Sequence, residues 1–310
     1  MIFISSGNSI DEVNIINVID WLYSYDACWI KINHGDVLKF KKISLDSTNC
    51  DFCFEDLRTN LNIYLSDIDR YWIRNGNISI EFDTLEDGLL DKFDSVLNHF
   101  IVGAIEEMTP NLNKQRDKNT NKITNLLKAQ QIGIKIPKTL VTCSKDDVLT
   151  FANENKLIVT KSYNNQVNEL TTIFSEKDIF DLPDIFRPKF FQEYIDKLFE
   201  IRIFYIDKKL FASAIFSQND NRTMIDFRNY NHELPNRTPP FKIPDKLVAK
   251  LIDLMQLLDI NCGSLDIIYT VNKEFVFLEV NPMGQFTQVS IPCNYFIERE
   301  IASYLSKRAN

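Results

Sequence analysis

A chain of 310 residues, 45% hydrophobic and 25% charged, is long enough for two or three compact subdomains with cores of their own. A net charge of −8 argues against nucleic acid as the main ligand, since a surface that tracks phosphates is usually basic, but leaves room for a local basic pocket around a small polyphosphate. With only 8 glycines, no basic leader and no long apolar stretch, glycine-rich nucleotide loops, secretion and membrane insertion are all disfavoured, and a cytoplasmic protein is expected.

Residues 2–5 (Ile-Phe-Ile-Ser) read as a first strand, and the helix after them carries Val13, Ile16, Val18, Ile19 and Leu22 on its apolar face. A strand follows at Trp29–Asn33, with further strand-like pieces at 37–40, 63–65 and 71–74. A helix from about 84 to 108, with Leu89, Phe93, Val96, Phe100 and Ile101 as its stripe, closes an α/β unit over 1–106. The polar run 109–114 has the composition of a linker. Residues 118–131 then read as a helix, 136–142 as a strand, 145–154 as a helix opened by a Ser144–Asp147 capping box, and 157–161 as a strand. From Lys189 onward strands dominate, at 190–195, 200–206, 210–218, 264–270 and 275–281, with a helix at 245–258 between them. Asp207-Lys208 and Asn272-Lys273 suit two-residue hairpin turns. Six cysteines are scattered at 28, 50, 53, 143, 262 and 293, and only Cys50 and Cys53 form a CxxC pair, so reduced and mostly buried thiols are expected rather than a zinc site.

The strongest chemical signal is the last hairpin. If Asn272 and Lys273 form its turn, Val271 faces Glu274, and stepping outwards brings Asp266 opposite Glu279. Two facing carboxylates on an apolar sheet repel each other unless a cation lies between them. Asn281, two residues past Glu279, shares its face and adds a neutral oxygen. Two carboxylates and an amide oxygen suit Mg²⁺, which takes its remaining ligands from water and phosphate. On this reading Asp266→Asn or Glu279→Gln leaves the fold intact or slightly more stable, because like-charge repulsion is relieved.

Period two also puts Glu200 and Arg202 on one face, a carboxylate able to hold a ribose diol beside a guanidinium able to clamp phosphoryl oxygens; a surface ion pair is the plainer reading of the same alternation. The backbone at 192–195 is placed to read an adenine edge. Lys122 opens a helix, Lys161 ends a strand, and Arg228 is a third cation, though most such side chains simply sit in water. The three histidines form no metal spacing or triad, and GxSxG, HExxH and GxxxxGK[ST] are all lacking, which removes the common hydrolase and P-loop readings.

The order of these features resembles the ATP-grasp superfamily, in which two α+β subdomains clasp ATP and acids on the last strands hold two Mg²⁺ ions. The resemblance covers about residues 107–310, with 1–106 like the family's N-terminal α/β pre-grasp domain. It implies an α+β fold with a central subdomain over 107–190 and a C-terminal one over 191–310 carrying the metal site. Asn121-Lys122-Ile123-Thr124-Asn125-Leu126 through Pro137-Lys138-Thr139 is similar to a run of graspetide (ω-ester peptide) maturases. So are Glu200-Ile201-Arg202, Asp226-Phe227-Arg228 and residues 277–286, while Ser290 to Tyr295 with Glu298 and Ile301-Ala302 is similar to the grasp-with-spasm branch. One departure is the stretch 162–166, Ser-Tyr-Asn-Asn-Gln, which has no glycine where many ATP-grasp enzymes cover the phosphates with a small-residue loop.

The resemblance implies an ATP-dependent ligase that activates Asp or Glu side chains of a ribosomal precursor peptide and joins them to Ser, Thr or Lys. Arg202 and Arg228 would be the catalytic cations, with Lys122, Lys161, Gln192, Glu193, Tyr194, Ile195 and Glu200 on ATP, and Asp266, Glu279 and Asn281 on Mg²⁺. The implied partner is a precursor peptide with a leader segment rather than nucleic acid or a membrane, and a homodimer is compatible with it. Two other readings stay open: an ATP-grasp ligase acting on a small amino acid or a protein terminus, and a catalytically silent binding module, against which the complete Asp266/Glu279/Asn281 set speaks.

Overall fold

Strand β1 (Ile2–Ser6) is buried along its whole length, as a strand with parallel neighbours on both sides must be. The computed structural model describes residues 1–7, 9–76, 78–81, 90–161 and 170–307, with the backbone only for 9–13, 90–95, 97–98 and 118–119. The predicted helix start at 84–89 and the glycine-free stretch 162–166 lie outside the described residues.

The chain divides into two units, Met1–Asp117 with Phe296–Asn310, and Lys118–Tyr295. In the first, α1 (Ser9–Ser24) leads to β2 (Trp29–Asn33), β3 (Val37–Leu45), β4 (Cys50–Asp56), β5 (Leu61–Tyr64), β6 (Arg70–Arg74), β7 (Ser79–Glu81), α2 (Leu90–Met108) and β8 (Asn111–Leu112). One sheet has the order β2-β1-β6-β8, all parallel; the other has β5-β4-β3-β7. Phe3, Ile4, Tyr71 and Trp72 fill the core of the first sheet, and Phe52 and Phe54 that of the second.

Several expectations give way here. Strand β4 was not anticipated, and β3 runs five residues past Phe40, to Leu45. Ile15, not Ile16, faces inward on α1, and on α2 Ile101, Val102 and Ile105 are buried while Val96 and Phe100 are exposed. The run 109–114 is no linker: β8 adds to β6, Thr109, Asn111 and Asn113 are buried, and the Thr109 hydroxyl donates to the Ile105 carbonyl at 2.6 Å. The division therefore falls after Asp117 rather than after residue 106, and the last helix, α8 (Ile297–Ser306), packs on α1 in the first unit. Cys28 and Cys143 are exposed, against the expectation of mostly buried thiols; all six are free.

Asp117 carries a pH signature. Burial pushes its carboxyl up to about 6, although it accepts the Lys114 backbone N–H at 2.7 Å. The folded value lies above the unfolded one, so the ionised group lowers stability above pH 6 and this penalty fades as pH falls toward 4. Asp117→Asn is expected to stabilise the chain by about 1–2 kcal/mol at pH 7 and by nothing at pH 4, read from unfolding midpoints across that range. A gain that persists unchanged at pH 4 would contradict it.

The second unit contains α3 (Lys122–Gln131), β9 (Thr139–Ser144), α4 (Lys145–Glu154), β10 (Ile158–Lys161), β11 (Thr172–Phe174), α5 (Glu176–Phe180), β12 (Ile185–Glu193), β13 (Lys197–Ile206), β14 (Lys209–Ile215), α6 (Asp245–Leu257), β15 (Cys262–Thr270), β16 (Phe275–Asn281) and α7 (Thr287–Cys293). Its two sheets, β11-β10-β12-β9 and β14-β13-β15-β16, are antiparallel throughout. Ser144 caps α4 as expected, but Asp147 takes the Thr142 hydroxyl at 2.6 Å instead of returning to the cap. On the last sheet Ile201, Ile203, Leu265, Ile267 and Phe277 pack with Leu251, Leu254 and Met255 of α6 and Leu126 of α3. Burying that face turns the alternate residues of the same strands, polar ones among them, to the other side.

Candidate active site

The polar face of the last sheet is set by register. Asp207 and Lys208 form the expected two-residue turn, both left-handed (φ 44° and 67°), so Ile206 pairs with Lys209 and Arg202 with Ser213. The β15–β16 loop is one residue longer than expected: Thr270 N–H donates to the Glu274 carbonyl at 3.0 Å, and Tyr269 pairs with Phe275. That register alone would set Leu278 against Asp266. A β-bulge at Leu278 absorbs the extra residue, and Asp266 faces Glu279 after all. At the bulge the Phe277 N–H donates to the Lys135 carbonyl at 2.9 Å, away from the ladder.

Each carboxylate has its own cations. Arg202 Nη1 donates to both oxygens of Asp266 at 3.1 Å. Lys122 Nζ lies 3.1 Å and Lys161 Nζ 3.7 Å from Glu279 Oε2. Lys122 stands at the first position of α3, behind the Asn121 cap that accepts from Ile123 and Thr124; the helix dipole disfavours a cation there, and Glu279 offsets it. Asn281 turns its Nδ2 to Asp266 (3.2 Å) and Glu279 (3.1 Å), so the oxygen expected of it needs a half-turn of the amide. Burial pushes the Asp266 carboxyl up, with Arg202 pulling it back and Glu279 adding to the rise. Burial acts the same way on Glu279, but the Lys161 and Lys122 ammoniums outweigh it and hold that carboxyl well below the usual range. The expectation that neutralising either acid relieves repulsion is thereby overturned, because removal of a carboxylate would strand buried cations.

Further along the face, Arg228 makes a forked bond to Asp226, Nε to Oδ1 at 2.9 Å and Nη2 to Oδ2 at 2.5 Å. Burial raises Asp226, yet this fork leaves its carboxyl below the ordinary value. Glu200 and Arg202 share the face but do not pair; Glu200 is held by Lys197 at 2.5 Å and by Ser217 at 3.2 Å. Burial pushes the Glu200 carboxyl up despite Lys197. Neither is the surface pair that alternation also allowed. Lys122, Lys161, Lys197, Arg202 and Arg228 thus each rest against one of the carboxylates Glu200, Asp226, Asp266 and Glu279.

Lys161, Lys197, Arg228 and the four carboxylates line a cleft within the second unit, together with Gln192, Glu193, Tyr194 and Ile195. Gln192 is buried and donates from Nε2 to Thr139 Oγ1 at 3.0 Å; the Glu193 carboxylate accepts the Lys138 N–H at 2.9 Å. The Glu193 and Tyr194 N–H groups are committed to the Lys138 and Leu157 carbonyls, whereas Ile195 N–H has no backbone partner among the described residues. Lys197 escaped the sequence reading and Leu278 was given no role, since both depend on bulges; Asp226 was read only as part of a motif, though its spacing from Arg228 could have suggested the forked pair.

No group of three or more His, Cys, Asp or Glu side chains is placed to hold a metal among the described residues. The donor set fits a hard cation that shares its sphere with other oxygens, namely two facing carboxylates and one amide. Glu279 Oε2, buried and approached among the described residues by the two ammoniums, is the oxygen such a cation would take.

No protein-family model and no curated protein matches the chain. Solved structures do match. The macrocyclase MdnC of Microcystis aeruginosa MRC, bound with precursor peptide MdnA, is 25% identical with a TM-score of 0.76, over 99% of this chain and 100% of that one. A RiPP-associated ATP-grasp ligase of Chryseobacterium gregarium, in complex with ADP and a leader and core peptide, is 21% identical with a TM-score of 0.80, over 100% and 99%. The ATP-grasp ligase PsnB, complexed with a minimal precursor, is 16% identical with a TM-score of 0.73, over 98% and 97%. The fold is the α+β ATP-grasp fold, and the class that fold and site define is the ATP-dependent ligase. Within that class the chain sits with the graspetide maturases, whose structures it matches from end to end.

Proposed function

We propose that this chain is an ATP-dependent peptide macrocyclase. It activates Asp or Glu side chains of a ribosomal precursor peptide as acyl phosphates and joins them to Ser or Thr hydroxyls, or to Lys amines. The observation that carries this reading is the buried cluster in which Lys122 and Lys161 rest on Glu279 and Arg202 on the facing Asp266, at a cleft that Lys161, Arg228 and both acids line. Full-length likeness to MdnC, bound with its precursor peptide, supports the substrate class, and PsnB complexed with a minimal precursor, Mg and ADP supports the cofactors.

In this reading the two antiparallel sheets of the second unit are the two lobes of the clasp, and the segment joining β12 to β13 is the seat of the base. Ile195 N–H and neighbouring carbonyls read the adenine edge, and Glu200 holds the ribose. Lys122, Lys161, Arg202 and Arg228 neutralise the triphosphate and the charge that spreads over the transferring phosphoryl group. Asp266, Glu279 and Asn281 would hold Mg²⁺, two ions by the resemblance, which would supply positive charge to the phosphate oxygens. A peptide carboxylate oxygen attacks the γ-phosphorus and ADP leaves; a hydroxyl or amine then attacks the acyl carbon and phosphate leaves. Anchoring a leader segment away from the cleft raises the local concentration of the core side chains.

Incubation with the precursor, ATP and Mg²⁺ is expected to remove one water from the peptide per link formed, read by mass spectrometry. Mild alkali restores the mass of esters and leaves amides unchanged. An unaltered peptide beside a nucleotide-binding, turnover-competent enzyme would instead favour a small-molecule ligase.

A further inference from the structure

Lys197 enters the cleft through a break in strand alternation. Phe199 packs against the core with Ile201 and Ile203, and strict period two would place Lys197 beside them. The ladder instead pairs Lys197 with Thr270 and Phe199 with Tyr269, so Leu198 is an extra, bulged residue and Lys197 turns to the face of Glu200.

Its side chain is only 4% exposed, a costly place for an ammonium without acceptors. It has two: Nζ donates to Glu200 Oε1 at 2.5 Å and to the Ile225 carbonyl at 3.0 Å. Ser217 Oγ, fully buried, donates to the same Oε1 at 3.2 Å. Two donors on one oxygen fix the rotation of the carboxylate. They leave Oε2, which takes no hydrogen bond among the described residues, as the oxygen that Glu200 presents to the cleft it lines.

We propose that Lys197 is a positioning residue that aims Glu200 Oε2 at the vicinal hydroxyls of a ribose, and so sets the preference for a ribonucleotide over its deoxy analogues. This rests on the nucleotide reading of the cleft. A carboxylate held in one rotamer gains more from a matching diol than one free to turn, and it loses more when a hydroxyl is missing.

The test is calorimetric titration of the full chain with ADP, 2′-deoxy-ADP and 3′-deoxy-ADP in Mg²⁺. The native chain is expected to bind ADP roughly 10–100-fold tighter than either analogue. Lys197→Met should bring that ratio to within about threefold of one, and Ser217→Ala, a gentler change, should lower it several-fold. A folded Lys197→Met that keeps the native ratio would overturn the proposal; should that variant not fold, an undiminished ratio in Ser217→Ala would do so. A native chain that binds ADP but does not discriminate overturns the proposal and leaves the nucleotide reading standing. A native chain that binds no ADP removes both.

Discussion

Glu279→Gln is expected to lose product formation by about 10²–10³-fold or more, and also to unfold more readily than the native chain. The first effect follows from the chemistry proposed for the facing acids: an amide is a poor ligand for Mg²⁺ and leaves phosphate charge uncompensated. The second follows from Lys122 and Lys161, whose ammoniums both rest against Glu279 Oε2 at about a tenth of their exposed surface. Taking away the shared acid strands two buried cations, a loss of about 3 kcal/mol if breaking a buried pair here costs what it does elsewhere. Adding Lys122→Met should recover part of that stability without restoring turnover, which a double-mutant cycle on thermal unfolding would read. A Glu279→Gln enzyme with native turnover in Mg²⁺ would remove the acid from the metal site. One that is as stable as the native chain would mean the ammoniums do not depend on it.

Arg202→Ala is expected to separate turnover from binding. Arg202 Nη1 fixes both oxygens of Asp266, while Nε is buried with no hydrogen-bond partner among the described residues, so the guanidinium holds the acid and keeps donor capacity for a phosphoryl oxygen. An interaction that strengthens as the phosphoryl group moves lowers turnover when lost, by roughly 10²–10³-fold, with a change of only a few-fold in the affinity for a non-hydrolysable ATP analogue. Lys161→Ala is expected to show the opposite balance, since its ammonium sits at the end of β10, over the Phe190 ring at 5.7 Å, where on the proposed reading it would meet the phosphates of bound and reacting nucleotide alike. Arg202→Lys should recover little, because a lone ammonium engaged with Asp266 leaves no second nitrogen for a phosphoryl oxygen. Near-native turnover in Arg202→Ala, or undiminished analogue binding in Lys161→Ala, would break the corresponding assignment.

How far the sequence could be read depended on how local the determinants were. Strict alternation placed Glu200 and Arg202 on one face, and the Asp207-Lys208 turn placed β14 against them, because both are set within a few residues of chain. The opposition of Asp266 and Glu279 was reached through a turn one residue too short, and it survives only because the Leu278 bulge restores the count. That bulge goes with a bond from Phe277 to the carbonyl of Lys135, more than a hundred residues away in the chain, which no local pattern reports. The Leu198 bulge hid Lys197 in the same way. Strand β8 was read as a linker because Thr, Asn and Pro signal loops, whereas here the Thr109 and Asn111 side chains are buried and bonded beside a parallel strand. Pairing of cations with the facing acids was also beyond reach, since Lys122, Lys161 and Arg202 come from three separate elements.

The helix that covers α1 is assembled from residues 297–306, and it buries Ile297, Ile301, Ala302 and Leu305. On the ribosome, the opening strand and helix therefore emerge long before their partner is made. Vectorial synthesis favours early closure of whatever is already complete, and here that is the stretch 118–295, which lies between the two partners in the chain. The strand and helix at 2–24 thus acquire their full complement of neighbours only after that stretch has been made.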